Sequence, residues 1–268
     1  MSGTIFRFSV AFLVGVLTLL AVSFSLSSYY VDEQQRLAAA GDARGALEAS
    51  QRAARLDPFD TDALERQASI LQQQNKYEQA AAVLRQATER DPVNYLPYLF
   101  LANLHLQRGD EEAAVEAYND VLTFNPKATV ASINKARIFT EQGRLQEARG
   151  VYLRLEREDR ISFQALYDLG RIEVRTDRAR QGLEYIKEAR RQARSELDEL
   201  QGPLKTQREQ LLVSMDLAVA DAMVVVGRET GARKILEESP SEQAPSLLRL
   251  LDSDPDAYRE QVVNSDIY

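Results

Sequence analysis

Proline recurs every 34 residues in the middle of this chain, at Pro58, Pro92 and Pro126. A fixed period of that length means one supersecondary unit repeated and stacked on itself. Other positions keep the same step. Gly41, Asn75, Gly109, Gly143 and Asp177 form one series. All three residue types tolerate left-handed backbone, which a tight turn ending a helix requires. Ala46, Ala80, Ala114, Ala148 and Gly182 form a second, and Ala68, Ala102, Ala136 and Gly170 a third. Side chains this small let two helices approach closely, and Leu84, Tyr118 and Tyr152 then fill the space beside them. Each proline follows Asp or Asn, where one helix pair ends and the next begins. The pattern predicts five antiparallel helix pairs at about 27–60, 61–94, 95–128, 129–162 and 163–196.

Helix, small-residue turn, helix and proline at a 34-residue period resemble the tetratricopeptide repeat (TPR) family. The Ala102-Asn103-Leu104-His105 and Leu169-Gly170 stretches add to the resemblance. The family's frequent Trp is missing, and Leu64, Tyr98, Ser132 and Leu166 stand in its place. Arg160 and Arg194 replace the proline in the later units. Gln34 stands where Ala or Gly belongs, so the first helix is expected to continue from the segment before it. The resemblance implies an all-α fold, a right-handed superhelical α-solenoid of about five to six hairpins. It also implies that the first helix of each hairpin lines a concave groove. On that basis Leu99, Phe100, Asn103, Asn134, Arg137, Tyr167, Arg171 and Arg175 are expected to hold an extended peptide or a partner helix. Apolar pockets supply area, and amide side chains clamp a peptide backbone. Asn103 and Asn134 match two asparagines of the carboxylate clamp in chaperone-binding members, but Leu99 and Gln164 stand where the clamp has lysines.

Ahead of the repeats, Phe8 to Leu26 carry no charge, and 12 of these 19 residues are Leu, Val or Phe. At roughly −0.4 kcal/mol each, they favour membrane insertion by about 5 kcal/mol. As a helix the segment is about 28 Å long, close to the ~30 Å hydrocarbon thickness. Two readings fit: an uncleaved single-pass anchor, or a signal peptide cleaved near Ser25-Leu26-Ser27. The run is longer than a signal peptide's apolar core, which favours the anchor. Arg7 is the one basic side chain before it, which keeps the N-terminus in the cytoplasm and puts the repeats outside, on the plasma (inner) membrane.

The expected organisation is an anchor over 1–29, five repeats over 30–196, a degenerate capping hairpin over 197–240, and a mostly flexible acidic tail over 241–268. A repeat array needs such a cap to cover its last apolar face. The chain has no Cys and a single His, His105, so thiolate and multi-histidine metal sites are excluded. Net charge is −8, which disfavours nucleic acid. The basic stretch Arg171–Arg194 is a candidate surface for an acidic partner. There is no glycine-rich phosphate loop, nucleophile elbow or His-Glu-x-x-His motif. The expected function is a membrane-anchored scaffold without enzymatic activity, cofactor or metal. It would bind a protein or peptide in envelope assembly, secretion or polysaccharide handling.

Overall fold

The computed structural model describes residues 2–267, with side chains from Val10 onward. Among the described residues it is all-helical: α1 (Ser2–Ala39), α2 (Ala43–Leu56), α3 (Asp62–Gln73), α4 (Tyr77–Arg90), α5 (Tyr95–Gln107), α6 (Glu111–Phe124), α7 (Thr129–Glu141), α8 (Leu145–Arg157), α9 (Phe163–Arg175), α10 (Ala179–Ser195), α11 (Gly202–Val225), α12 (Glu229–Glu238), α13 (Ala244–Ser253) and α14 (Pro255–Asn264). A single 3-10 turn, Leu197–Glu199, lies between α10 and α11. The chain forms two compact units, Met1–Ala131 and Ser132–Tyr268.

The periodic residues explain why the helices start and stop where they do. Gly41, Asn75, Gly109, Gly143 and Asp177 all have positive φ, between 58° and 78°, and each closes the turn inside one hairpin. Asp42 and Asp110 then cap the following helices by accepting hydrogen bonds from Gly45 N and Ala113 N. At the other end, Asp57, Asp91 and Asn125 leave the helical region because the next residue is proline, which excludes it. Between those ends the small residues meet. Ala46, Ala80, Ala114 and Ala148 are buried, as are Ala68, Ala102 and Ala136. Leu84, Tyr118 and Tyr152 fill the neighbouring space and are also buried. Gly170 and Gly182 mark the closest approach of α9 to α10.

In the first unit, α1 runs unbroken from Ser2 to Ala39, so the helix before the repeats and the first helix of the first hairpin are one. Within Val10–Ala39 the most apolar 18-residue window has a mean hydropathy of 2.3 and is 6% buried, so the helix is long and apolar enough to cross a membrane. Its second half is docked. Ser23 and Ser27 donate to Leu56 O and Ala53 O at the end of α2. Tyr30 and Val31 pack against Ala53, Ala54, Ala63 and Leu64. Gln34 is buried in the same face. Arg7, on which the expected orientation rests, and Phe8, at the start of the apolar run, lie outside the described side chains.

In the second unit the segment expected as a mostly flexible tail contains two helices. It forms α13 and α14, with Tyr258, Val262 and Ile267 buried. The reason is local. Asp254 accepts from Ala257 N, Pro255 opens α14, and the Tyr258 hydroxyl donates to Asp221 Oδ1 at 2.7 Å on α11. Proline at the first helical position and Asp before it are start signals. Acidic composition obscured them.

Candidate partner-binding surface

The expected site residues fall in both units. In the first unit they lie on α5, whose Pro97, Leu101, Ala102 and Leu104 face inward. The helical period then leaves Leu99 half-buried, Phe100 41% exposed and Asn103 exposed. Asn103 is also structural, because its Oδ1 accepts from the hydroxyl of fully buried Tyr118 at 2.7 Å. A buried hydroxyl without a partner costs about 1–3 kcal/mol, so Asn103 holds α5 to α6 as well as facing solvent. On the neighbouring hairpin, Gln72 Nε2 donates to Gln107 Oε1 at 2.6 Å, which ties α3 to α5 along this side. His105 lies half-buried with Nδ1 3.4 Å from Asp110 Oδ2, at the turn into α6.

The second unit carries the other five. Asn134 and Arg137 lie on α7, and Tyr167, Arg171 and Arg175 on α9. Arg137 Nε sits 3.4 Å from Asp168 Oδ2, and the same oxygen accepts from the Tyr152 hydroxyl at 3.4 Å. Asp168, on α9, is buried. It therefore draws Arg137 into an intramolecular pair. Arg171 lies over the Tyr167 ring at 5.4 Å, and the Tyr167 hydroxyl donates to Ser214 O at 3.4 Å on α11. Burial pushes the Tyr167 phenol up.

Arg175 is held by the chain itself. Its Nε donates to Ser265 O at 3.0 Å, and Nη2 donates to Ser265 Oγ at 2.9 Å. Nη1 donates to Arg171 O at 3.2 Å. Burial, and secondarily the positive charge of Arg171, lower its pKa. The C-terminal segment thus lies across the end of α9 that was expected to face a partner. A cavity of 420 Å³ opens beside it, between α9 and α11, with Arg171, Arg175 and Asp221 in its wall.

Asp221 and Tyr258 are the residues that sequence reasoning passed over. The signal was Asp221 itself, one of two acids inside the apolar run Leu211–Val226. Burial raises the Asp221 carboxyl, opposed by the Tyr258 hydrogen bond and by the charges of Arg175 and Arg171. A folded-state pKa above the ordinary 3.8 means the native chain holds this proton more tightly than the unfolded one. Asp221 therefore favours folding at low pH, and that contribution is lost as pH rises from 3.8 through the raised value. Asp221→Asn keeps an acceptor for Tyr258 without the charge. It is expected to raise the thermal midpoint by a few degrees at pH 7 and to change it little at pH 4. Melting followed by circular dichroism at both pH values checks this.

The basic stretch after Arg171 is largely answered within the chain. Glu173 is fully buried and receives Arg149 Nε at 2.8 Å, with Arg178 at 3.9 Å. Arg190 pairs with Asp216, Lys187 with Glu184 at 3.2 Å and Arg191 with Glu188 at 2.6 Å. Arg180 and Arg194 face solvent.

No curated protein matches the sequence. Among solved structures, the MamA protein is similar at a TM-score of 0.54 and 16% identity, covering 66% of this chain and 97% of MamA. A TPR protein from Parabacteroides merdae is similar at 0.55 and 14% identity, covering 85% and 100%. The pilF protein of Pseudomonas aeruginosa is similar at 0.51 and 20% identity, covering 75% and 88%. At such identities the likeness is one of fold. Two stretches, 65–129 and 133–197, match the tetratricopeptide repeat family model. Over those residues, the chain is a tetratricopeptide repeat protein.

Proposed function

We propose that the chain is a single-pass membrane scaffold whose repeats, outside the cytoplasm, bind a protein or peptide partner in envelope assembly, secretion or polysaccharide handling. Repeats of this family serve as interaction surfaces without chemistry of their own. The observation that carries the binding reading is Phe100, a bulky aromatic left 41% exposed beside Leu99 and Asn103 in the middle of α5. Exposed aromatics flanked by amides are what a surface for an extended peptide or an amphipathic helix presents. The anchor is favoured over a cleaved leader by α1 itself. Cleavage near Ser27 would remove Ser23 and Ser27 from the carbonyls of α2 and expose the face they cover.

Two measurements test this. N-terminal sequencing of the mature chain should begin at or near Met1, and a start near Ser28 would refute the anchor. For the groove, Phe100→Ser is a better probe than Asn103→Ala or Arg137→Ala. Those two also remove one of the contacts made by buried Tyr118 or Asp168. Phe100→Ser should weaken capture of the native partner at least tenfold, about 1.4 kcal/mol, with little change in melting. Unchanged capture would move the binding surface away from α5.

A further inference from the structure

We propose that the inter-hairpin edge of the first unit, tipped by Phe59 and Val93, inserts into the headgroup–acyl boundary of the membrane that α1 crosses. The inference rests on the anchor reading above and adds where the repeat body sits against the bilayer.

The strongly apolar run ends at Leu26, but α2 meets α1 before that, at Ser23. Only Phe8 to Val22 precede the contact, 15 residues, or about 22 Å of helix against a ~30 Å hydrocarbon layer. The remaining span has to come from residues 23–27, and these are the ones docked on α2. The end of α2 and the loop after it are therefore brought to the level of the outer leaflet's surface.

The second observation is what that edge carries. Successive helices run antiparallel, so the loops 57–61 and 91–94 leave the unit at the same end, and Asn94 Nδ2 joins them by donating to Thr61 Oγ1 at 3.0 Å. Phe59 is 77% exposed and Val93 is 71% exposed. Phe59 is also held in place: Asp57 Oδ1 accepts from Phe59 N at 3.0 Å and from Asp60 N at 3.1 Å. The opposite edge, made by the turns inside the hairpins, has no such tips. It presents Gly41-Asp42, Asn75-Lys76 and Gly109-Asp110. Large apolar tips gathered at the end where an apolar helix departs fit a lipid interface, where burying side chains of this size is favourable. Asp60 and Asp62 flank the tips, so the grip is apolar rather than cationic and should not depend on anionic lipid.

The chain has no Cys, which makes single-cysteine labelling unambiguous. Full-length Phe59→Cys, Val93→Cys, Lys76→Cys and Leu17→Cys would be reconstituted in phosphatidylcholine vesicles and labelled with an environment-sensitive fluorophore. Quenching by lipids brominated at shallow or deep acyl positions is compared with quenching by aqueous iodide. The expected result is several-fold stronger quenching by shallow bromolipid at 59 and 93 than at 76, with Leu17→Cys quenched by deep bromolipid, all unaltered by 0.5 M salt (about a 4 Å screening length). If 59 and 93 respond to iodide as 76 does while position 17 stays in lipid, the anchor stands and the inserted edge is wrong. If position 17 is also open to iodide, the anchor reading fails and takes this inference with it.

Discussion

Ala114→Arg should destroy the cooperative fold of the first unit. Ala114 is fully buried on α6, in the series of small residues that lets each hairpin's two helices close on one another. An arginine there brings a guanidinium and several methylenes into a gap that holds one methyl group. The charge is taken out of water, and the bulk pushes α6 off α5. Either effect alone costs several kcal/mol, and together they belong with the substitutions that exceed 4–5 kcal/mol. For a unit of this size that corresponds to a fall in midpoint of about 15 °C or more, or to loss of the transition altogether. Glu112→Arg, exposed on the same helix, is the control. It gives up an acid near a helix N-terminus and should cost about 0.5–1 kcal/mol. Thermal melts of both variants decide the point, and an Ala114→Arg protein that melts like the parent would mean that the small-residue series does not face inward.

The interior place of Ala114 is legible from spacing alone, and the reason is physical. In a stacked array every unit solves the same packing problem, so a turn that needs positive φ or a contact that admits only a methyl group returns at a fixed interval. Gly41, Asn75 and Asp177 differ chemically, yet all sit at positive φ. Aperiodic features lack that redundancy. The pairing of Tyr258 with Asp221 joins residues 37 apart in a region where the step has already failed, and an acid in an apolar run marks only one of the two partners. Asp168 shows the same limit within the repeats. It lies between the groove residues Tyr167 and Arg171, but its burial beneath Arg137 and Tyr152 depends on neighbours from two other helices. The docking of Ser265 on Arg175 spans 90 residues and is invisible to any periodic reading. Individual groove residues are harder to foresee than the fold for this reason. The repeat fixes which face a side chain is on, while its partners come from wherever the chain returns.

Two alanine substitutions at helical glycines should move stability in opposite directions, which makes the packing argument quantitative. A Cβ on Gly182 would lie 2.6 Å from Gly170 O, and 2.8 Å from both Val174 N and Val174 Cγ2. Two of these three are backbone atoms of α9, so relief requires the helices to separate rather than a side chain to turn. Separation would in turn loosen Leu183 and Ile186, both buried between the same helices. Overpacking of this kind typically costs 1–3 kcal/mol and more where backbone must yield, so Gly182→Ala is expected to cost about 3 kcal/mol. Gly150, in the middle of α8, meets nothing within 4 Å of an added Cβ, and its backbone is helical. There the methyl group only restricts the unfolded chain and improves helix propensity, so Gly150→Ala should stabilise by about 0.5–1 kcal/mol. Chemical denaturation of the two variants beside the parent measures both. The opposite signs are the essential outcome. A Gly182→Ala protein as stable as the parent would mean that α9 and α10 stand further apart than their glycines allow, and the close approach on which the hairpin geometry depends would have to be abandoned.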